Sequence, residues 1–180
     1  MIKKTVFSLL ALALAAGIAQ PQDKPAEKKA PMKAASGILQ PGMEPTGGWT
    51  SGGDMGDKPA EAWSNTTVGA GVDKKPLAGK TVTLTGEILD LSCYLQLGKH
   101  GDKHSACGKK CITNGEPIGL VTKAGAVYLL MAEEHDPRRD GGVGFRKAAG
   151  DNFAKVMTVT GTETTVGGVK AVYVQGYVGK

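Results

Sequence analysis

The sequence predicts a mainly-β fold, a five-stranded OB-like Greek-key barrel with one short helix and a helical, Cys- and His-bearing insertion after the first strand. Three observations predict it. "KTVTLTGEILDLSCYL" alternates, with Val82, Leu84 and Ile88 on one side and Thr81, Thr83 and Thr85 on the other, the period-two pattern of a strand with one buried face. Two later stretches read as hairpins. A short helical stretch falls between the third and fourth strands, the element order of an OB-type barrel.

Each element has its own justification. Gly86 interrupts the first strand, which predicts a bulge or a sharp bend there. In "PIGLVTKAGAVYLLMA", Ile118–Thr122 forms a strand, Lys123-Ala124-Gly125 the turn, and Ala126–Met131 the return. "EEHDPRRDGGVG" is a polar loop, with "GGVGF" at Gly141–Phe145 a flexible part of it and no phosphate cradle, because no βαβ unit surrounds it. "FRKAAGDNFA" holds a short helix before Gly150. "KVMTVTGTETTVGGVKAVYVQGYV" is the second hairpin, turning at Gly167-Gly168. "GKTVTLTGEI" at Gly79–Ile88 resembles "AKVMTVTGTE" at Ala154–Glu163, an echo between two strands and not a repeat.

The chain divides into three parts. Residues 1–19 read as a signal peptide: Lys3 and Lys4, an uncharged and mostly apolar run over Val6–Ile18 that is too short to span a bilayer, then small residues Gly17 and Ala19 before Gln20. Residues 20–75, rich in Pro, Gly, Ala and Lys, read as a disordered tether that buries too little apolar surface to offset chain entropy. Trp49 and Trp63 are its exceptions, as docking points for a partner or as residues that fold back on the domain. Residues 76–180 form one small domain.

The leader predicts a periplasmic or secreted protein with no membrane span and the opportunity for an envelope protein partner. Lys and Arg number 22 against 17 Asp and Glu, and losing Lys3 and Lys4 with the leader brings the excess from +5 to +3. So small an excess, in an exported chain, argues against a nucleic-acid partner.

All three cysteines, and two of the three histidines, lie in "SCYLQLGKHGDKHSACGKKC", Ser92–Cys111. The frame around it, "LAGKTVTLTGEILDLSCYL", "GEPIGLVTKAGAVYLL" and "VQGYV", resembles small exported bacterial OB-fold proteins over roughly the last hundred residues, most distinctively in the Cys93-Tyr94-Leu95 that precedes the His- and Cys-bearing insertion. The resemblance implies the barrel. The loop after the first strand is a ligand-binding loop in OB folds generally.

Asp102 is a fair N-cap for a helix over about Lys103–Thr113 that stops near Asn114-Gly115. On that helix His104, Cys107 and Cys111 share one face, within an arc of roughly 40–60°. Cys93, closing the preceding strand, reaches the same point. His100 joins the face only if the helix begins earlier, which Gly101 opposes. Three readings follow. In the first, Cys93, His104, Cys107 and Cys111, with His100 as a fifth or substitute ligand, bind zinc or copper; Lys99, Lys103, Lys109 and Lys110 would favour thiolate over thiol. In the second, an oxidising compartment pairs Cys93 with Cys107 or Cys111 as a disulfide staple, leaving one thiol free; the loop then belongs to a protein- or glycan-interaction module. In the third the thiols do redox chemistry, but the Cys-x-x-Cys spacing is absent, as is the Cys-x-x-Cys-His of covalent haem.

Elsewhere, His135 with Glu133, Glu134 and Asp136 is a cation-binding or acid/base candidate or a solvated loop. Tyr94 packs over the loop. No open coordination position or paired general base is apparent, so the sequence indicates binding and not catalysis.

Overall fold

The computed structural model describes residues 43–133 and 140–177, the side chains of 140–143 excepted. In chain order the elements are β1 (Asp54–Met55), α1 (Asn65–Ala70), β2 (Lys80–Asp90), α2 (Leu91–Leu97), α3 (Ser105–Thr113), β3 (Ile118–Thr122), β4 (Val127–Ala132), α4 (Asp140–Asp151), β5 (Val156–Val166) and β6 (Val169–Val174), with single 3-10 turns at Val72–Lys74 and Asp102–His104.

Two long strands make closure possible. β2 pairs antiparallel with β5 over Lys80–Glu87 and with β3 over Gly86–Asp90. β5 in turn pairs with β6 over Thr162–Val166, while β4 and β6 run parallel. The sheet order β1-β5-β2-β3-β4-β6 with the added β5–β6 pairing closes five strands into a mixed barrel, which leaves that ring without an open edge. The register runs through Gly86 without an extra residue on either side. The glycine therefore marks a change of partner and not a bulge. A Cβ there would stand 2.6 Å from the Val121 carbonyl oxygen, so only glycine lets β3 approach.

The hairpins fall where the sequence puts them. Gly167 and Gly168 turn the second with φ of 57° and 83°, the primed-turn geometry that matches strand twist. α4 differs from expectation: it starts at Asp140 and takes in the "GGVGF" stretch expected as loop, and it runs through Gly150. Packing overrides the glycine content. Gly150 brings α4 close to Thr113 of α3, and the Arg146 guanidinium donates to the carbonyls of Ile112 in the last turn of α3 and of Glu116 just after it.

Inside the barrel, Ile88, Leu120, Leu130, Val159, Val172 and Val174 are essentially inaccessible, and Ile112 of α3 with Phe145, Ala149 and Phe153 close one end. Each such aliphatic side chain contributes about 1.5–3 kcal/mol by leaving water. A second, smaller cluster lies on the outer face, where Leu89, Leu91 and Val121 pack with Tyr94, Val127 and Leu129.

From residue 43 onward, the stretch expected to be a tether lies against the barrel. Thr46 bridges to Lys155, β1 pairs in parallel with β5, and Met55 is buried. Trp63 donates to the Leu77 carbonyl at 2.7 Å and meets the Tyr173 ring edge-on at 5.3 Å. Ser64 N–H (2.9 Å) and the Thr67 hydroxyl (2.5 Å) both donate to the buried Glu133 carboxylate. Composition misleads here because main-chain pairing with β5 and a few anchors hold the segment, neither of which needs many apolar residues. Residues 1–19 and 20–42 lie outside the described residues. No helix among those described is long and apolar enough to cross a membrane.

Candidate metal centre

β2 delivers two buried acids near its end, and their fates differ. Asp90, its last residue, is completely buried. Its Oδ1 accepts the Cys93 N–H at 3.1 Å and so caps α2. This cap ends the strand three residues before Cys93. Cys93 therefore sits in the first turn of α2 and does not close the strand as expected; its thiol is turned toward the carboxylate that caps its helix.

α2 ends at Gly98 in the left-handed region (φ 66°), and the chain returns through His100 and Gly101. Glu87, also completely buried, holds this return: His100 Nδ1 lies 2.8 Å from its Oε2 and Gly101 N–H donates to its Oε1 at 2.6 Å. Gly101 (φ 74°) lies against the backbone of Met43 and Glu44, where a Cβ would stand 2.5 Å from the Met43 carbonyl carbon. Asp102 is not the cap of α3. Its N–H donates to the Glu44 carbonyl and its Oδ1 accepts from the Thr46 hydroxyl, both at 2.9 Å. α3 begins only at Ser105, after a 3-10 turn whose last residue is His104.

That turn sends the His104 ring inward. The side chain is buried and meets Phe153 edge-on at 6.0 Å. Gly108 of α3 fits directly over the Phe153 ring, leaving no room for a Cβ. Asp90, Cys93 and His104 each place one ligand atom within 4.8 Å of the others. Among the described residues, Asp90 Oδ2 and His104 Nε2 are buried without a hydrogen-bond partner. Such an orphan costs about 1–3 kcal/mol, and here two of them face a thiol.

Cys111 and Cys107 follow along α3, Cys111 half-buried and Cys107 exposed. Burial, a hydrogen bond with Cys107 and the proximity of Asp90 all raise the Cys111 thiol above its ordinary value. Burial first, and then the hydrogen bond and charge of Asp90, push Cys93 up from 9.0 to about 11. The expectation that neighbouring lysines favour thiolate is thus reversed for Cys93 and Cys111, because burial and the Asp90 carboxylate outweigh the lysine charges. A cation bound to the three groups would invert this again, since a coordinating thiol gives up its proton. Burial lowers His104 below 6.5, which keeps the imidazole neutral and its lone pair available.

Of the residues singled out in the sequence, the fold brings Cys93 and His104 together with Cys111 and Cys107 alongside. It places His100 on Glu87, which raises the His100 pKa, with Tyr94 edge-on at 5.8 Å. Glu133 anchors the segment before α1, while Glu134, His135 and Asp136 lie outside the described residues. Sequence reasoning missed Asp90 and Glu87. The signal was present: in "GEILDL" two acids interrupt an otherwise apolar strand end, and a buried acid needs a partner.

No family model matches the chain, and neither a curated protein nor a solved structure matches it. What the geometry offers by itself is a buried carboxylate, thiol and neutral imidazole facing one point, a donor set suited to a transition metal.

Proposed function

We propose that this chain is an exported, OB-like barrel protein that binds one transition-metal ion, zinc or copper, for delivery to or sensing on behalf of an envelope partner. Asp90, Cys93 and His104 hold the ion and Cys111 completes a tetrahedral set. One observation carries the reading: Asp90, Cys93 and His104 bring one ligand atom each within 4.8 Å of the others, and the two buried members each keep an unpartnered polar atom, Asp90 Oδ2 and His104 Nε2. An oxygen, a nitrogen and sulfur donors form an ordinary zinc set, and the thiolates and imidazole also suit copper. The OB-like reading draws support from the parallel β4–β6 pairing and from α4 joining the third barrel strand to the fourth. Export draws support from the leader-like sequence of residues 1–19.

Elemental analysis of protein purified without added metal, together with a thiol count under denaturing conditions, tests this. Stoichiometric zinc or copper with three free thiols is expected. Absence of metal with one free thiol instead supports a second reading, a protein- or glycan-interaction module whose loop is stapled by a disulfide. The mutual proximity of the Cys93, Cys107 and Cys111 thiols favours that alternative.

A further inference from the structure

We propose that Cys107 is the exchange ligand of this site, the thiol through which a metal ion passes between solvent-side carriers and the buried set. The inference rests on the metal-binding reading above. The cluster has two tiers. Asp90 and His104 are buried, and the His104 ring stands edge-on to Phe153, whose own ring is locked against Gly108 of α3. Such ligands cannot swing out to meet an incoming carrier. Cys107 is the one cysteine of the three that is exposed. It lies one helical turn before Cys111 on the same face of α3, which sets the two thiols side by side. Cys111 in turn lies near enough to Asp90 and Cys93 for their charges to interact. The thiols therefore form a continuous path from solvent to the buried donors.

Soft thiolate ligands pass zinc or monovalent copper by associative exchange, in which a new metal–sulfur bond forms before an old one breaks. The step balances without an oxidant. As the ion arrives on a carrier thiolate, Cys107 loses its proton to solvent and bonds the metal. The carrier sulfur then leaves and takes up a proton. Cys111, Cys93, His104 and Asp90 next replace Cys107 in the shell; the Cys107 thiolate takes its proton back, and the half-buried Cys93 and Cys111 thiols release theirs to solvent. Lys99 and Lys110, exposed in the same insertion, suit a carrier that presents thiolate or carboxylate groups.

The test loads the full-length reduced chain with zinc alone and transfers it to an excess of a chromophoric chelator, giving both an equilibrium affinity and a transfer rate. Cys107→Ser is expected to leave the affinity within about threefold of the parent while slowing transfer about tenfold; Cys111→Ser is expected to lower the affinity by about tenfold or more. If Cys107→Ser weakens binding as much as Cys111→Ser does, Cys107 is a resident ligand and the proposal is overturned. If transfer by Cys107→Ser is as fast as by the parent, exchange does not use this thiol and the proposal again fails. A parent chain that binds no zinc overturns the metal-binding reading itself, a result distinct from either.

Discussion

β2 carries two buried acids three residues apart, and the loop that follows gives each a histidine. Glu87 and His100 complete one another: both carboxylate oxygens have donors, and the contact raises the His100 pKa. Asp90 and His104 do not. Each keeps a buried donor atom unpartnered, and burial lowers the His104 pKa. The same residue types, in the same loop, thus form a structural clamp at one end and an incomplete coordination shell at the other. A histidine near an acid is therefore weak evidence for a site; a histidine and an acid both left unsatisfied beside a thiol is much stronger.

The contrast is broken most severely at the clamp. His100→Ala leaves the Glu87 carboxylate buried with only the Gly101 N–H, and removing one partner of a buried pair costs about 3 kcal/mol. A urea midpoint of the metal-free protein measures it, and an unchanged midpoint would remove the clamp from the account. At the cluster the opposite pattern is expected. Asp90→Asn retains the cap on α2, since Asn caps as well as Asp, so stability should shift by no more than about 1 kcal/mol. Its zinc affinity should fall by about 10- to 100-fold, because an amide is a poor substitute for a carboxylate ligand. Competition with a chelator reads that loss.

Acidity separates the two histidines with a smaller effect. His100 has a folded-state pKa raised above 6.5, so its contribution to stability is fully present below 6.5 and is lost as pH rises through the raised value. His104 has a folded-state pKa lowered below 6.5, so the unfolded chain binds more protons and stability is lost as pH falls from 6.5 through the lowered value. The metal-free protein should therefore gain stability as pH falls toward 6.5 and lose it below. His100→Gln should abolish the first limb alone and His104→Gln the second alone. Denaturant midpoints across this range check the assignment, and a profile that both variants leave unchanged contradicts it.

Much of the site was legible beforehand, for a reason that the ordinary geometry of helices supplies. The spacing of Cys107 and Cys111 sets them a turn apart on α3 as expected, whereas His104 precedes the helix in a 3-10 turn and is turned inward by it. Asp102 was misread because the Asp side chain binds whichever donor is nearest, and the Thr46 hydroxyl from a distant segment came first. Asp90 does not stand out among the soft ligands of the insertion, although an acid in an apolar strand end is itself a signal.

What the sequence determined by itself is what repeats at short range: the alternation of β2, the turns at Gly125 and Gly167-Gly168, and the gathering of all three thiols into one insertion. Tertiary structure alone decided which histidine serves which acid. Gly101 is pressed against the Met43–Glu44 backbone while its N–H is held by Glu87, and this fixes the loop so that His100 falls on the outer face and His104 turns inward. That segment, read from composition as a tether, is held by main-chain bonds to β5. Hydrogen bonds of that kind carry no side-chain signature, so no reading of residue types reveals them.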